Sequence, residues 1–256
     1  MFAATPMRTA STGERTMKEY FLNFLKNTDD RSVMKWTHYF DVYADELKPF
    51  YKKNISFLEI GIFKGGSIPM WKGCFASSSQ LVFLDIDPDC KALAERGTIV
   101  EIGDQSDPKF LKRMANNYGP FDVIIDDGGH QMNQQIISFE NLWPSLRPGG
   151  VYLVEDTHTS YWPGFGGGYR NEASFIEYAK RLVDSMHSWY TEDDDAFPFD
   201  PLANELGYVR FYDSIVAMKK ISRKRPPTSV MSRNGKIQTS RRALEIRGRT
   251  SSFKAD

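Results

Sequence analysis

The sequence Phe121-Asp122-Val123-Ile124-Ile125-Asp126-Asp127-Gly128-Gly129-His130 joins a short apolar, β-branched run to two carboxylates, two glycines and a histidine. Such a run is typical of a central strand that is covered on both faces. A second run of this kind, Val151-Tyr152-Leu153-Val154, is followed by Glu155-Asp156. Parallel strands bring their carboxyl ends to one edge of a sheet, where open α/β folds bind ligands. Two acidic pairs at that edge repel each other unless a cation or protons compensate, so the pattern indicates a metal site with His130 beside it.

Strand and helix patterns alternate on both sides of this motif. Strands are predicted at 56–60, 81–86, 98–102, 121–126 and 151–155, and helices at 66–75, 88–95, 108–117 and 132–143. This alternation predicts a doubly wound, Rossmann-like α/β sheet that is mostly parallel. Two amphipathic helical stretches, 17–26 and 34–51, precede the sheet. A glycine-rich loop at 157–170, a further helix and an antiparallel hairpin at 208–218 follow it.

Composition favours a single domain over residues 17–221. The 256 residues carry no formal net charge, but 222–256 hold ten Lys and Arg against two acidic residues, and we predict a disordered basic tail there. Residues 1–16 are predicted to be a flexible leader. The two cysteines form no CxxC motif, which fits a reducing cytoplasm. No stretch approaches the roughly 18 apolar residues that span a bilayer, so no membrane partner is expected.

A glycine-rich turn connects the first predicted strand to its helix. The dinucleotide pattern G-x-G-x-x-G is not met, because Phe63 stands where its second glycine belongs. The alternative pattern, an acid followed by Gly61 and Gly65, suits S-adenosylmethionine, whose amino acid end carries an ammonium and a carboxylate. Glu59 would support the loop or the ammonium, and Ser67 at the helix start would meet the carboxylate. An ordinary tight turn between strand and helix remains the alternative.

Acidic and amide side chains follow the next two strands. Asp85 is placed to accept the hydroxyls of a ribose, whereas Asp87 is predicted to cap the helix that begins at Pro88. Asp104 and Gln105 could bind an adenine, and Asp107 is again a predicted helix cap. Polar groups at three successive strand ends favour a nucleoside-bearing donor.

The chain resembles a known family over about residues 33–170, the metal-dependent macrolide-sugar O-methyltransferases of the macrocin and mycinamicin type, with cephalosporin-hydroxylase-like proteins as relatives. The resemblance rests on blocks that stand here as Lys35-Trp36-x-His38-Tyr39, Glu59-Ile60-Gly61-x-x-x-Gly65-Gly66-Ser67, Gly103-Asp104-Gln105-Ser106-Asp107, 121–130, Arg147-Pro148-Gly149-Gly150 and Glu155-Asp156-x-x-Thr159-Ser160-Tyr161.

The resemblance implies a class I methyltransferase fold with S-adenosylmethionine as the methyl donor. It also implies that Asp127, Glu155 and Asp156 bind a magnesium-type ion and that His130 is the base. Asp126 would then be a supporting residue on the donor side. A homo-oligomer is implied as well, acting on a small molecule or glycan and not on nucleic acid.

A metal-bound sugar hydroxyl becomes more acidic, and imidazole can remove its proton near neutral pH. His158, Tyr161 and Trp162 are candidate acceptor contacts, although aromatic residues beside glycines also pack simply to hold a loop. Three alternatives stay open: a small-phenol methyltransferase, a methyltransferase-fold hydroxylase, and a noncatalytic donor-binding protein.

Overall fold

A seven-stranded sheet forms the centre of the computed structural model, which describes residues 16–29, 31–225 and 227–240. The strands are β1 (Ser56–Ile60), β2 (Gln80–Asp85), β3 (Thr98–Ile102), β4 (Phe121–Asp126), β5 (Leu146–Val154), β6 (Leu206–Phe211) and β7 (Val216–Lys220). The helices are α1 (Met17–Lys26), α2 (Tyr39–Glu46), α3 (Ser67–Cys74), α4 (Pro108–Tyr118), α5 (Met132–Leu142) and α6 (Phe175–His187).

The strands lie in the order β3-β2-β1-β4-β5-β7-β6. The chain adds strands on one side of β1 as far as β3, and then crosses to the other side of β1 to form β4. The first five strands are parallel, and β7 runs antiparallel to both β5 and β6. The predicted doubly wound sheet with a closing hairpin is therefore confirmed. Asp126 is in register with Val154, so the residues after β4 and β5 leave the sheet at the same edge.

Alternate residues of each central strand point to opposite faces, and each face carries its own apolar core. Phe57 packs on the face covered by α3, and Leu58 packs on the face covered by α4 and α5. Both side chains are fully buried. Strands β4 and β5 thus carry apolar runs because both faces of the sheet are covered there.

The amino-terminal helices pack on the same face of the sheet as α3. The ring of Phe21 in α1 lies 5.8 Å from that of Trp71, and the ring of Tyr43 in α2 lies 5.2 Å from it. These contacts place the connection between α1 and α2 above the carboxyl edge of β1 and β4.

The main differences from the prediction concern three elements. Helix α2 starts at Tyr39, so the predicted helix over 34–51 is wrong for 34–38, which have no regular helix. Residues Pro88–Leu93 form a 3-10 helix, because a short segment between two strands leaves no room for further turns. Strand β5 begins at Leu146, ahead of the predicted 151.

The predicted disordered tail contains a hairpin of β8 (Ser229–Arg233) and β9 (Lys236–Ser240). Its turn is Asn234-Gly235, with φ of 50° and 72°, a pair that favours a tight hairpin turn. The structure thus describes this part of the predicted tail as a hairpin, whereas residues 1–15 of the predicted leader and residues 241–256 lie outside the described residues. Across the described ranges, no helix has the length and apolar character needed to cross a membrane.

Candidate active site

A cavity of about 400 Å³ opens at the carboxyl edge of the parallel strands. Nine of the residues predicted for the site contribute to its lining. They are Gly61, Phe63, Ser67, Asp85, Asp104, Gln105, Asp127, His130 and Asp156. Glu59, Gly65, Asp126 and Glu155 stand behind this lining, where they contact residues that form it.

The turn after β1 depends on a glycine at position 61. Gly61 has φ of +86°, and a Cβ there would lie 2.1 Å from the carbonyl oxygen of Asp127. Close packing of this turn against the end of β4 therefore requires a residue without a side chain. The next residues complete a tight bend, in which Phe63 also has a positive φ and the amide of Gly65 donates to the carbonyl of Ile62.

Glu59 supports the loop from beneath. Its carboxylate accepts hydrogen bonds from Ser67 Oγ at 2.6 Å and from Trp71 Nε1 at 2.9 Å. The side chain is fully buried, and burial raises the pKa of Glu59 to about 7. Of the two roles predicted for Glu59, these contacts correspond to support of the loop.

Asp85 connects the end of β2 to the same loop. One carboxylate oxygen accepts from the amides of Ile62 at 2.9 Å and Phe63 at 3.1 Å, and the other accepts from the amide of Asp87 at 2.9 Å. The backbone amides of Ile62 and Phe63 in the glycine-rich turn therefore donate to Asp85. Asp87 caps the 3-10 helix as predicted, and Asp107 caps α4.

Gln105 links β3 to β4. Its amide donates to Asp126 Oδ1 at 2.9 Å and to Ser138 Oγ at 3.1 Å, and its carbonyl accepts from the amide of Gly129 at 2.8 Å. Asp104 beside it accepts from the amide of Ser106 at 2.7 Å. Asp126 is 1% exposed, and burial raises its pKa to about 7. These contacts make Asp126 a support for Gln105.

Three groups converge where β4 and β5 end. Asp127, His130 and Asp156 each offer one ligand atom, and these atoms lie within 4.8 Å of one another. Because the two carboxylates supply hard oxygen atoms, the donor set fits a magnesium-type ion. Asp127 is partly buried, and burial raises its pKa to about 7.

Two residues of this cluster have a left-handed backbone conformation. His130 has φ of 55° and Asp156 has φ of 53°, values that side-chain-bearing residues rarely adopt. Thr159 Oγ1 donates to the carbonyl of His130 at 3.0 Å, and Tyr39 donates its hydroxyl to Asp156 Oδ1 at 2.6 Å. Such strain persists only where surrounding contacts impose it, and it is concentrated at functional sites.

The His130 ring lies against Asp156. Its Nε2 lies 3.4 Å from Asp156 Oδ2, and its Nδ1 is buried with no hydrogen-bond partner among the described residues. Burial lowers the pKa of His130 despite the nearby carboxylates, which keeps the imidazole neutral.

Glu155 is fully buried behind the cluster. Its Oε1 accepts from the Tyr43 hydroxyl at 2.5 Å, and its Oε2 lies 2.9 Å from Lys35 Nζ. The same ammonium lies 2.5 Å from Asp127 Oδ2. Burial raises the pKa of Glu155 to about 8. The structure therefore joins two of the three predicted metal ligands through a lysine.

The predicted acceptor residues lie beside the cluster. His158 Nδ1 is 2.5 Å from Ser214 Oγ, and its ring packs 4.7 Å from that of Trp162 and 5.9 Å from that of Trp36. Trp162, Trp36 and Tyr161 are about half exposed. This cluster forms an open aromatic wall next to the carboxylates.

Residue-level prediction did not assign roles to Lys35, Tyr39 and Tyr43, although all three bind the acidic residues of the site. Lys35 and Tyr39 belong to a block that carried the family resemblance. A lysine that is followed directly by Trp36 and then by tyrosines at helical spacing was the available signal.

The fold and the site define a class I methyltransferase domain. Residues 58–157 match the family model described as a methyltransferase domain. The MycE methyltransferase of the mycinamycin biosynthetic pathway, solved with Mg, SAH and mycinamycin VI, superimposes with a TM-score of 0.70 at 29% identity. That match covers 81% of this chain and 54% of MycE.

Within that class the chain is a relative of sugar O-methyltransferases of antibiotic biosynthesis, as the resemblance predicted. Demethylmacrocin O-methyltransferase of Streptomyces fradiae is 39% identical over 178 residues, which are 64% of this chain and 45% of that protein. The 8-demethyl-8-alpha-L-rhamnosyl tetracenomycin-C 2'-O-methyltransferase of Streptomyces olivaceus is 34% identical over 191 residues, 71% of this chain and 50% of that protein. The chain thus spans about half the length of these relatives.

Proposed function

We propose that this chain is an S-adenosylmethionine- and divalent-metal-dependent O-methyltransferase that methylates a sugar hydroxyl of a glycosylated small molecule. One observation carries the proposal. Asp127, His130 and Asp156 converge within 4.8 Å on the wall of the cavity that the glycine-rich turn lines. A metal site, a base and a donor cavity thus share one edge of the sheet.

The cavity suits the donor in size and in chemistry. A volume of about 400 Å³ lies within the range of small-molecule sites. Asp85 and Asp104 line the cavity as the proposed acceptors for ribose and adenine, and Ser67 at the start of α3 faces the amino acid end. Phe63 is 60% exposed on the same wall and offers an apolar surface to the donor.

Asp127, Glu155 and Asp156 are the proposed metal ligands. When bound, the cation would lower the pKa of an acceptor hydroxyl and orient it, and a vicinal diol could chelate it. Tyr39 orients Asp156 for this role. Its hydroxyl donates to Oδ1, and Oδ2 lies on the side of His130. Glu155 is held by Tyr43 at Oε1, so a cation would bind at Oε2, which Lys35 contacts in this structure.

His130 is the proposed base. Its lowered pKa favours the neutral imidazole, which can take the hydroxyl proton near neutral pH, and a positioned base of this kind typically contributes roughly 100- to 10,000-fold. The remaining acceleration would come from holding the hydroxyl in line with the methyl carbon and sulfur of the donor.

The acceptor would bind against the aromatic wall of Trp36, His158 and Trp162, with Tyr161 beside it. Apolar faces of a sugar and its aglycone pack on aromatic rings, and the polar edge of His158 faces the hydroxyls. The glycosylated small-molecule class is supported by the named activities of the two relatives and by the mycinamycin VI bound in the MycE complex.

A screen of glycosylated acceptors with labelled donor, with Mg²⁺ and with EDTA, tests the proposal. We expect transfer that requires Mg²⁺ and that Asp127→Asn abolishes. Asp184→Asn, an exposed carboxylate on α6, serves as the matched control and should retain turnover. Transfer that continues in EDTA would remove the metal from the mechanism, and the absence of donor binding in calorimetry would remove the donor.

A further inference from the structure

Lys35 places a buried positive charge among the carboxylates of the site. Its side chain is only 4% exposed. Its Nζ lies 2.5 Å from Asp127 Oδ2, 2.9 Å from Glu155 Oε2 and 3.8 Å from Glu59 Oε1. A lysine is almost never buried this far unless it is paired, so these carboxylates are the reason for its position.

The pairing is reciprocal. Lys35 Nζ lies within hydrogen-bond distance of Asp127 and Glu155, and Glu59 lies just beyond it, so the ammonium and the carboxylates compensate each other's charge. Without this charge, two fully buried carboxylates and one partly buried carboxylate would face one another. Removing one partner of such a group destabilises a protein by more than the intact group stabilises it, because an uncompensated buried charge is left behind.

Two of the three carboxylates bound by this ammonium are proposed metal ligands. A divalent cation that takes Asp127 and Glu155 as ligands would use Glu155 Oε2, because Tyr43 binds Oε1, and Lys35 contacts both this atom and Asp127 Oδ2. Two cations confined to one small group of oxygen atoms repel each other strongly in a buried setting. Lysine and metal therefore compete for this position.

We propose that Lys35 is an internal counter-cation, which holds Asp127 and Glu155 together while the site is free of metal and withdraws when a divalent cation binds them. This inference rests on the metal site of the proposed function. Lys35 belongs to the segment between α1 and α2, which has no regular helix or strand at 32–36. Ser32, Val33 and Met34 of that segment line the donor cavity. Movement of Lys35 would thus alter one wall of the donor site.

Lys35→Met tests the exchange without any measurement of turnover. Thermal unfolding without metal should show a melting temperature lowered by roughly 5 to 10 °C, because the buried carboxylates lose their counter-charge. Addition of Mg²⁺ should then raise the melting temperature of the variant by more than it raises that of the wild type. Calorimetric titration with Mg²⁺ should give a dissociation constant about tenfold lower, because no ammonium has to be displaced.

Lys220→Met is the matched control. Lys220 is also buried, with 8% of its side chain exposed, and it lies 2.8 Å from the carbonyl oxygen of Trp143 and 3.1 Å from Glu205. Glu205 is 43% exposed, so loss of this lysine leaves no buried carboxylate unpaired. Its replacement should lower the melting temperature without changing the response to Mg²⁺.

Lys35→Met combined with Glu155→Gln covers the case in which the single variant folds poorly. The double variant removes one positive and one negative buried charge, so it should recover part of the metal-free melting temperature. A double variant no more stable than Lys35→Met would overturn the counter-cation role.

The Mg²⁺ titrations separate this inference from the proposed function. Weaker Mg²⁺ binding in Lys35→Met than in the wild type would show that the lysine orients the ligands and stays, and would overturn the exchange alone. An unchanged affinity would overturn it as well. Mg²⁺ binding in neither protein would overturn the metal site of the proposed function together with the exchange.

Discussion

Replacement of Gly61 by alanine is expected to damage both halves of the site at once. Gly61 follows β1, where its amide donates to the carbonyl of Leu84 at 2.7 Å. An added Cβ would lie 2.1 Å from the carbonyl oxygen of Asp127 and 2.9 Å from the Cα of Gly128. These atoms belong to backbone, which cannot move aside as a flexible side chain can. The residues after β4 would have to shift by about 1.3 Å or more to reach ordinary contact distance.

The free energy cost of Gly61→Ala has two parts, and the same substitution at a second glycine separates them. Alanine at a positive φ costs about 1–2 kcal/mol, and overpacking against fixed atoms adds about 1–3 kcal/mol. Gly97 has the same φ of +86°, but a Cβ there meets nothing within 4 Å. Gly97→Ala should therefore show the first part alone, and Gly61→Ala the sum of about 2–5 kcal/mol.

Urea unfolding of the two variants measures this difference, and calorimetry with S-adenosylhomocysteine and with Mg²⁺ reports the effect on the site. We expect both ligands to bind at least tenfold more weakly to Gly61→Ala, and normally to Gly97→Ala. Equal destabilisation by the two substitutions would refute the packing argument. Normal binding of both ligands to Gly61→Ala would refute its consequence for Asp127.

Three further outcomes are expected. Tyr43→Phe removes the hydrogen bond to buried Glu155 and should lower the free energy of unfolding by about 1–3 kcal/mol in urea titrations, because a buried acceptor loses its donor, and a change near zero would contradict this contribution. His130→Ala should lower kcat by roughly 100-fold or more while the affinity for S-adenosylhomocysteine is retained, and full turnover would place the base elsewhere. Burial raises the pKa of Glu59 to about 7, above its unfolded value near 4.3, so the native state holds the proton longer and stability falls as pH rises between these values. Because Asp126, Asp127 and Glu155 also have raised pKa values, Glu59→Gln should show a smaller fall than the wild type when unfolding is compared at about pH 5 and about pH 8. Parallel profiles for the two proteins would count against the raised pKa of Glu59.

Local sequence patterns predicted the sheet and the edge at which its polar residues gather. The runs before Asp126 and Glu155 are apolar throughout because both faces of β4 and β5 are covered, and parallel strands bring the residues after them to one edge. Asp127, Asp156 and His130 meet there for that reason. The Asn234-Gly235 pair is also a local signal for the hairpin that contains it. The prediction of disorder followed the basic composition of the tail instead.

Contacts between distant segments were decided by tertiary packing. Lys35 reaches Asp127 and Glu155 across 92 and 120 positions of the chain, and Tyr43 reaches Glu155 across 112. Periodicity reports which face of a helix is buried, and it carries no information about which polar group a buried tyrosine or lysine will meet. That choice depends on how α1 and α2 pack against Trp71 on one face of the sheet. The sequence thus predicts the residue types and the strand ends that carry them, whereas the contact of Lys35 with two of the proposed metal ligands depends on the folded arrangement.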